Sequence, residues 1–377
     1  MRSRRMSDDA IYVTRPALPP LRDLLPHLEA IWESGHVTNG GAQIAAFEEG
    51  LSGFLGSPHI TPCCNGTIAL MCALRACRLR PGAEVITTPY SFVATTSAIL
   101  WAGLTPVFVD INEHDYNLSP AAIEAAIGPE TGAVIPVHCY GRPCDVDAID
   151  TIAKKHGLKV VYDAAHAFGA DRDGGNLLQS GDFSVISFHG TKVFNTFEGG
   201  CVISASAEQK LAIDRLINFG FVDETTVEGI GINGKMSEFN AALGRAQLPL
   251  IRGQIERCRQ LHHQYHEQLS GIAGLTLPSD AGYRSNYSYF PLRVHDDFPG
   301  GRDGLYQVLR ANNIFTRRYF YPLIPEFPDY APYRRQSRFP NAMRLSREVL
   351  CLPIYADLSD AQQFRVCTVI RTTASAD

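Results

Sequence analysis

Short β-branched runs alternate along the middle of this chain with helical stretches of ten to fifteen residues. "AEVITT", "TPVFVDI", "GAVIPVH", "LKVVYDAA", "FSVISFH" and "GCVISA" read as strands. Interleaved with them, "NGTIALMCALRACRL", "VATTSAILWAG", "SPAAIEAAIG" and "DVDAIDTIAKKHG" read as helices, with Ser119 as an N-cap followed by Pro120 in the first turn. That alternation restricts the chain to an α/β fold, a mainly parallel sheet covered by helices on both faces. Two amphipathic helices come first, over residues 17–34 and over "AQIAAFEEGLSGFLG", with stops at Gly35 and Gly56. Near Gly253 the character changes to one long polar helix, "QIERCRQLHHQYHEQL", and then to mixed strands and helices. The expected division is a tail over 1–15, a large domain over 16–252 and a smaller α+β domain over 253–377.

Composition excludes several classes of function. Hydrophobic residues make up 45% and charged residues 19% of 377 residues, as expected for a globular chain with a sizeable core. A net charge of −5 gives no electrostatic reason to expect nucleic acid or an anionic membrane as partner. No apolar run reaches the roughly 18 residues of a membrane span, and the basic start "MRSRRMSDD" has no apolar segment behind it, so a frayed tail is expected there. The ten cysteines are scattered through apolar segments without a CxxC pair; Cys63 and Cys64 are adjacent, and Cys139 and Cys144 stand five apart. Reduced thiols in a cytoplasmic protein, and no structural metal, are the expectation.

In open parallel sheets ligands bind beyond the carboxyl ends of the strands. Phe92, His138, Asp163 and Lys192 fall there. Lys192 follows "FSVISFH" in a loop that also carries Phe188, Val193, Phe194 and Phe197. A lysine desolvated among aromatics has a lowered pKa and attacks aldehydes, while a carboxylate at the end of Val160-Val161-Tyr162 needs a cationic or hydrogen-bonding partner. One cofactor uses both: pyridoxal 5′-phosphate forms a Schiff base with a lysine and keeps its ring nitrogen protonated against a carboxylate. Gly66 and Thr67 in "NGTIAL", at a helix start, offer free amides to its phosphate, with Ser187 as a further hydroxyl. Phe92 at a strand end offers a face for the ring. No one of these residues specifies the cofactor; their common place at one sheet edge does.

The segments "VTNGG…FEEGLSGFLG", "NGTIAL", "VITTPYSFVAT", "PVHCYGRPCDVDAI", "YDAAHAFGA", "SFHGTKVFNTFEGG" and "GINGKMSEFNAALG" resemble, in order, the DegT/DnrJ/EryC1/StrS family of sugar aminotransferases. The resemblance runs from about Pro16 to the C-terminus. It implies a fold type I aminotransferase, a large domain with a mainly parallel sheet and a smaller C-terminal domain, whose homodimer builds its active sites at the interface. By position, Lys192 resembles the Schiff-base lysine and Asp163 the partner of the ring nitrogen. His166 is placed on the side of the phenolic oxygen, Gly66, Thr67 and Ser187 in the phosphate cup, and Phe92 at the stacking position. Asn233, in "GINGKM", is implied to reach the phosphate of the neighbouring subunit. Some relatives carry histidine in place of the lysine and are dehydrases; here the lysine is intact, with Gly190 where alanine is commoner.

The same resemblance implies L-glutamate as donor, a pyridoxamine 5′-phosphate form of the cofactor, and a nucleotide-linked keto sugar as acceptor. "NFGFVDE" and "FNTFEGG" bring the chain nearest to the branch that makes 4-amino-4,6-dideoxy sugars on dTDP. Arg318 and Tyr319, in "NNIFTRRYFYPL", are the candidate substrate contacts. Alternatives within the family aminate a 3-keto sugar, a UDP- or GDP-linked sugar or a keto-inositol; outside catalysis stands a pyridoxal-phosphate-binding regulator. "GIGING" (229–234) matches a dinucleotide fingerprint, but "VDETTVE" before it is too polar for the central strand that motif requires.

Overall fold

The computed structural model describes residues 10–279, 282–334 and 338–375. A seven-stranded sheet holds the molecule together. Its strands are β1 (Ile60–Cys63), β2 (Glu84–Thr87), β3 (Thr105–Phe108), β4 (Thr131–Ile135), β5 (Lys159–Asp163), β6 (Phe183–Ser187) and β7 (Gly200–Ser204). They lie in the order β1-β7-β6-β5-β4-β2-β3. Pairing is parallel from β6 to β3, and β7 runs antiparallel to both β6 and β1. The expected α/β fold is therefore observed, and each expected strand is shorter than its apolar run. After β5 and β6 the runs continue past the sheet into loops that carry the site.

β1 was not expected from the sequence, because Pro62 interrupts it. The strand sits at the edge of the sheet, where a residue without an N–H is tolerated, and Pro62 pairs with Cys201. The first helix, α1 (Leu21–Ser34), starts later than residue 17: Pro19 and Pro20 hold the chain extended, with Pro20 at φ −52°, ψ 133°. The helices α2 (Ala42–Leu55), α3 (Gly66–Ala76), α4 (Ala94–Trp101), α5 (Pro120–Ala126), α6 (Val146–His156), α7 (Ala207–Leu216) and α8 (Glu238–Gln247) follow. Gly35 and Gly56 end the first two in left-handed conformation, and Ser119 caps α5 as expected.

Alternate strand residues enter two different cores. Ile86, Val134, Val160, Tyr162 and Ile186 face a cluster with Phe47, Leu51, Phe188 and Phe194. Val85, Ile135, Val161, Val185 and Val202 face another with Leu70, Ala73 and Ile213. A period of two with both faces buried is the pattern of a covered sheet.

A long helix, α9 (Ile251–Leu269), links this unit to the rest of the chain. Ile251 and Ile255 pack on the core with Phe47. Further along, Cys258, Leu261, Tyr265 and Leu269 belong to a separate core with Phe290, Leu292 and Leu350. That second core lines a three-stranded antiparallel sheet, β8 (Leu275–Thr276), β9 (Phe290–Val294) and β10 (Val349–Leu352). Helices α10 (Gly301–Ala311), α11 (Pro340–Glu348) and α12 (Asp360–Ala374) complete this half. Residue 253 lies in the first turn of α9.

Residues 1–9, expected to fray, lie outside the described residues. The last part of the expected tail differs from expectation. Ile11–Tyr12 pair in parallel with Ile314–Phe315, Ile11 is buried in the second core, and Tyr12 stacks on Phe315 at 5.0 Å. Apolar burial of Ile11 and the ring contact tie this segment to the C-terminal half.

Candidate active site

β5 and β6 are parallel neighbours and end at the same edge, on Asp163 and Ser187. Asp163 is only 5% exposed, and both its carboxylate oxygens are hydrogen-bonded. The Ala165 amide donates to Oδ1 at 3.1 Å and the Thr95 hydroxyl to Oδ2 at 2.7 Å. Burial pushes its carboxyl pKa up, while Thr95, Ala165 and the charge of Lys192 pull it back down.

The loop after β6 turns back on itself, with Lys192 N–H donating to His189 C=O at 2.9 Å. Phe188 and Phe194 pin this loop from below, Phe194 stacking on Phe168 at 4.4 Å. They do not surround the ammonium, as the sequence suggested. Phe197 is turned to the surface, where it stacks on Phe239. The aromatic group at the ammonium is Tyr289: Lys192 Nζ donates to its hydroxyl at 3.3 Å and lies 6.0 Å from its ring centre. Burial lowers Lys192 from 10.5 to about 8, against the pull of Asp163 in the other direction.

His166 accepts the Tyr140 backbone N–H on Nδ1 at 3.1 Å. Its neutral ring therefore carries its proton on Nε2. Burial, with the Lys192 charge second, pushes its pKa well below the ordinary histidine value. Its ring lies 4.6 Å from that of Tyr289.

At α3, Asn65 accepts the Ile68 amide at 2.9 Å. The amides of Gly66 and Thr67 have no intrahelical partner, and they stand at the positive end of the helix dipole. Two glycines allow the helix to approach the sheet here. A Cβ on Gly66 would lie 3.1 Å from Ser187 Cβ, and one on Gly200 only 2.8 Å from Gly66 N. Ser187 is thereby brought beside the helix start.

These groups open on one cleft of about 650 Å³. Of the residues expected from the sequence, Gly66, Thr67, Phe92, Asp163, His166, Ser187, Lys192 and Tyr319 line it. Phe92 is 61% exposed. Asn233 is exposed opposite Asn218 and does not line the cleft of its own chain. Arg318 also lies outside the lining, donating to Asp303 at 3.0 Å beneath the rings of Tyr306 and Tyr321.

Sequence reasoning missed Tyr289, Thr95, Ser91, His189 and Phe320. Nothing local marks Tyr289, which meets Lys192 across 97 residues. Thr95 carried one signal, its spacing of four from Ser91 at a helix start, on the face that returns to the sheet.

The donor set fits pyridoxal phosphate: an acidified lysine amine, a buried carboxylate, an unfilled helix terminus with a serine hydroxyl, and an exposed ring. Among the described residues no cluster of three or more His, Cys, Asp or Glu side chains is arranged to hold a metal ion. Nor is any described helix long and apolar enough to cross a membrane.

Comparison with known proteins agrees with this chemistry. The model of the DegT/DnrJ/EryC1/StrS aminotransferase family matches residues 22–371. The chain is 49% identical over 361 residues to the dTDP-4-amino-4,6-dideoxy-D-glucose transaminase of Shigella dysenteriae, covering 95% of this chain and 98% of that protein. It is 36% identical over 362 residues to the UDP-N-acetyl-3-dehydro-alpha-D-glucosamine 3-aminotransferase of Acidithiobacillus ferrooxidans, covering 95% and 96%. Among solved structures, that of DesI in the presence of its TDP-sugar product superposes with a TM-score of 0.92 at 36% identity, over 98% of this chain and 94% of that one. The chain belongs to the DegT/DnrJ/EryC1/StrS family of aminotransferases, enzymes that depend on pyridoxal phosphate.

Proposed function

We propose that this aminotransferase takes an amino group from L-glutamate and delivers it to C4 of dTDP-4-keto-6-deoxyglucose, giving dTDP-4-amino-4,6-dideoxyglucose. It does so in the cytoplasm, as a homodimer in which each cleft is completed by the partner. One observation carries the chemistry: Lys192 and Asp163 face a single cleft that also receives the open terminus of α3. Higher identity to a dTDP-sugar transaminase than to a UDP-sugar 3-aminotransferase supports the choice of sugar. The exposed Phe92 and Asn233 support a completing partner, with Asn233 serving the other cleft.

When bound, pyridoxal phosphate supplies the electron sink that makes the α-proton of an amino acid removable. The chain supplies the rest. Lys192 Nζ would hold the cofactor at its aldehyde carbon and, as a free amine, would carry the proton; an amine acidified to about 8 keeps a useful neutral fraction near neutrality. Tyr289 steadies that amine through its hydroxyl. Asp163 holds the proton of the ring nitrogen. His166 offers Nε2–H to the phenolic oxygen, and Gly66, Thr67 and Ser187 hold the phosphate. A large domain (16–252) carries these groups, and a smaller one (253–377) contributes Tyr289 and Tyr319 to the wall.

The test is product analysis by mass spectrometry. Wild type with pyridoxal phosphate, glutamate and dTDP-4-keto-6-deoxyglucose is expected to form the amino sugar, and Lys192→Ala none. Product with only a 3-keto, UDP- or GDP-linked sugar would replace the substrate. Bound cofactor without turnover of any donor or sugar would make the chain a non-catalytic binding protein. For the shared cleft, mixing inactive Lys192→Ala with inactive Asn233→Ala should restore activity, and no restoration would refute it.

A further inference from the structure

We propose that Ser91 and Thr95 form a two-hydroxyl relay that orients Asp163 and keeps its carboxylate charged toward the cofactor's ring nitrogen. Both are then positioning residues for the reaction. The inference rests on the role given to Asp163 above, and neither hydroxyl has a part in that reading.

Hydrogen-bond direction carries the argument. An ionised carboxylate only accepts, so the Thr95 hydroxyl donates its single proton to Asp163 Oδ2 at 2.7 Å. The contact between Thr95 Oγ1 and Ser91 Oγ, at 3.0 Å, must then run from Ser91 to Thr95. All three side chains are buried, and in a chain of hydrogen bonds away from water each one polarises the next.

Other groups that face Asp163 do not replace the relay. Cys139 and Cys144 approach from the segment after β4 and Tyr289 from the segment before β9, and burial pushes all three pKa values up, leaving them neutral. His166, three residues beyond Asp163, is also kept neutral by burial. Among the described residues Lys192 is the one cation acting on the carboxylate, and it is committed to the cofactor's aldehyde carbon. Thr95 and the Ala165 amide remain as donors to Asp163. The span from Ser91 to Thr95 also holds Phe92 at the cleft, and Thr95 N–H donates to Phe92 C=O at 3.3 Å. The relay and the exposed ring are therefore built on one turn of chain.

The test compares wild type, Thr95→Val, Thr95→Ser and Ser91→Ala, each with pyridoxal phosphate. The readouts are cofactor affinity from fluorescence, the pH–rate profile, and kcat and KM separately. Removing a hydrogen bond to a charged group in Thr95→Val should weaken cofactor binding about tenfold. Loss of a donor to the charged form raises the carboxyl pKa, so the acid limb of the kcat profile should move to higher pH. The KM for glutamate should stay the same. Thr95→Ser should restore both properties, and Ser91→Ala should shift them in the same direction by about threefold. A Thr95→Val protein that melts like wild type, with unchanged affinity and acid limb, would overturn the relay. Should Thr95→Val fail to fold, unchanged values in Ser91→Ala would do the same. Wild type that takes up no cofactor, or Lys192→Ala with the same visible band as wild type, would instead sink the reading of the cleft itself.

Discussion

Two helix starts in this protein face the same electrostatic problem and resolve it in opposite ways. At α2 the chain provides its own anion: Glu238, 2% exposed, accepts the Gln43 amide at 2.7 Å and the Ile44 amide at 3.2 Å. Gly41 makes room for it, since a Cβ there would lie 2.7 Å from Glu238 Cδ. At α3 the cap is the neutral side chain of Asn65, which takes only the Ile68 amide. The α11 terminus follows the first pattern, with Asp110 accepting the amides of Asn341 and Ala342, each at 3.0 Å. A helix start without a carboxylate of its own stays open to an anion, and of these three starts that of α3 lines the cleft. The difference between α2 and α3 lies in the cap, since the dipole is shared by both.

This contrast can be broken experimentally. A large effect is expected at the filled terminus. Glu238→Ala leaves buried amides unpaired and should cost about 2–3 kcal/mol of stability in chemical denaturation, with cofactor affinity unchanged. Affinity falling in parallel would mean that the two ends are not separate in function. At the open terminus, Asn65→Ala should cost about 1 kcal/mol in the cofactor-free protein. It should also weaken pyridoxal phosphate binding, so the stability gap between variant and wild type should widen when cofactor is added. An equal gap with and without cofactor would place Asn65 outside the phosphate site.

A pH-dependent signal sharpens the comparison by charge. The open side of the molecule keeps a buried lysine, whose folded pKa of about 8 lies below the ordinary value of 10.5. Between those values the unfolded chain binds more protons, so Lys192 adds stability as pH rises from about 8 towards 10.5. Below that window the buried ammonium is a constant penalty. Cofactor-free wild type should therefore gain on Lys192→Met across the window, as read by melting temperature. Parallel curves would show that the lysine is not desolvated.

The sequence exposed those parts of the site that depend on chain order. Asp163 and Lys192 could be placed because strand ends in a parallel sheet share an edge, and α3 because Asn65-Gly66 opens an apolar helix. What was not legible depends on three-dimensional closure. Tyr289 and Phe320 reach the cleft from the far half of the chain, and no periodicity marks them. Pro62 hid an edge strand, and two prolines delayed α1. Arg318 reads as a substrate contact, and only the structure shows it donating to Asp303 outside the cleft lining. Ile11 reads as part of a polar tail until its partner strand, Ile314–Phe315, is known.

The hydrogen bond from the Tyr140 backbone to His166 Nδ1 has a kinetic consequence. A main-chain amide cannot reverse its role, and burial disfavours the charged ring. His166 is thus a fixed donor, silent as pH changes, in an enzyme where a histidine would be the first suspect for any inflection near neutrality. A limb observed near the ordinary histidine value would have to come from a group other than His166, and His189 also lines the cleft.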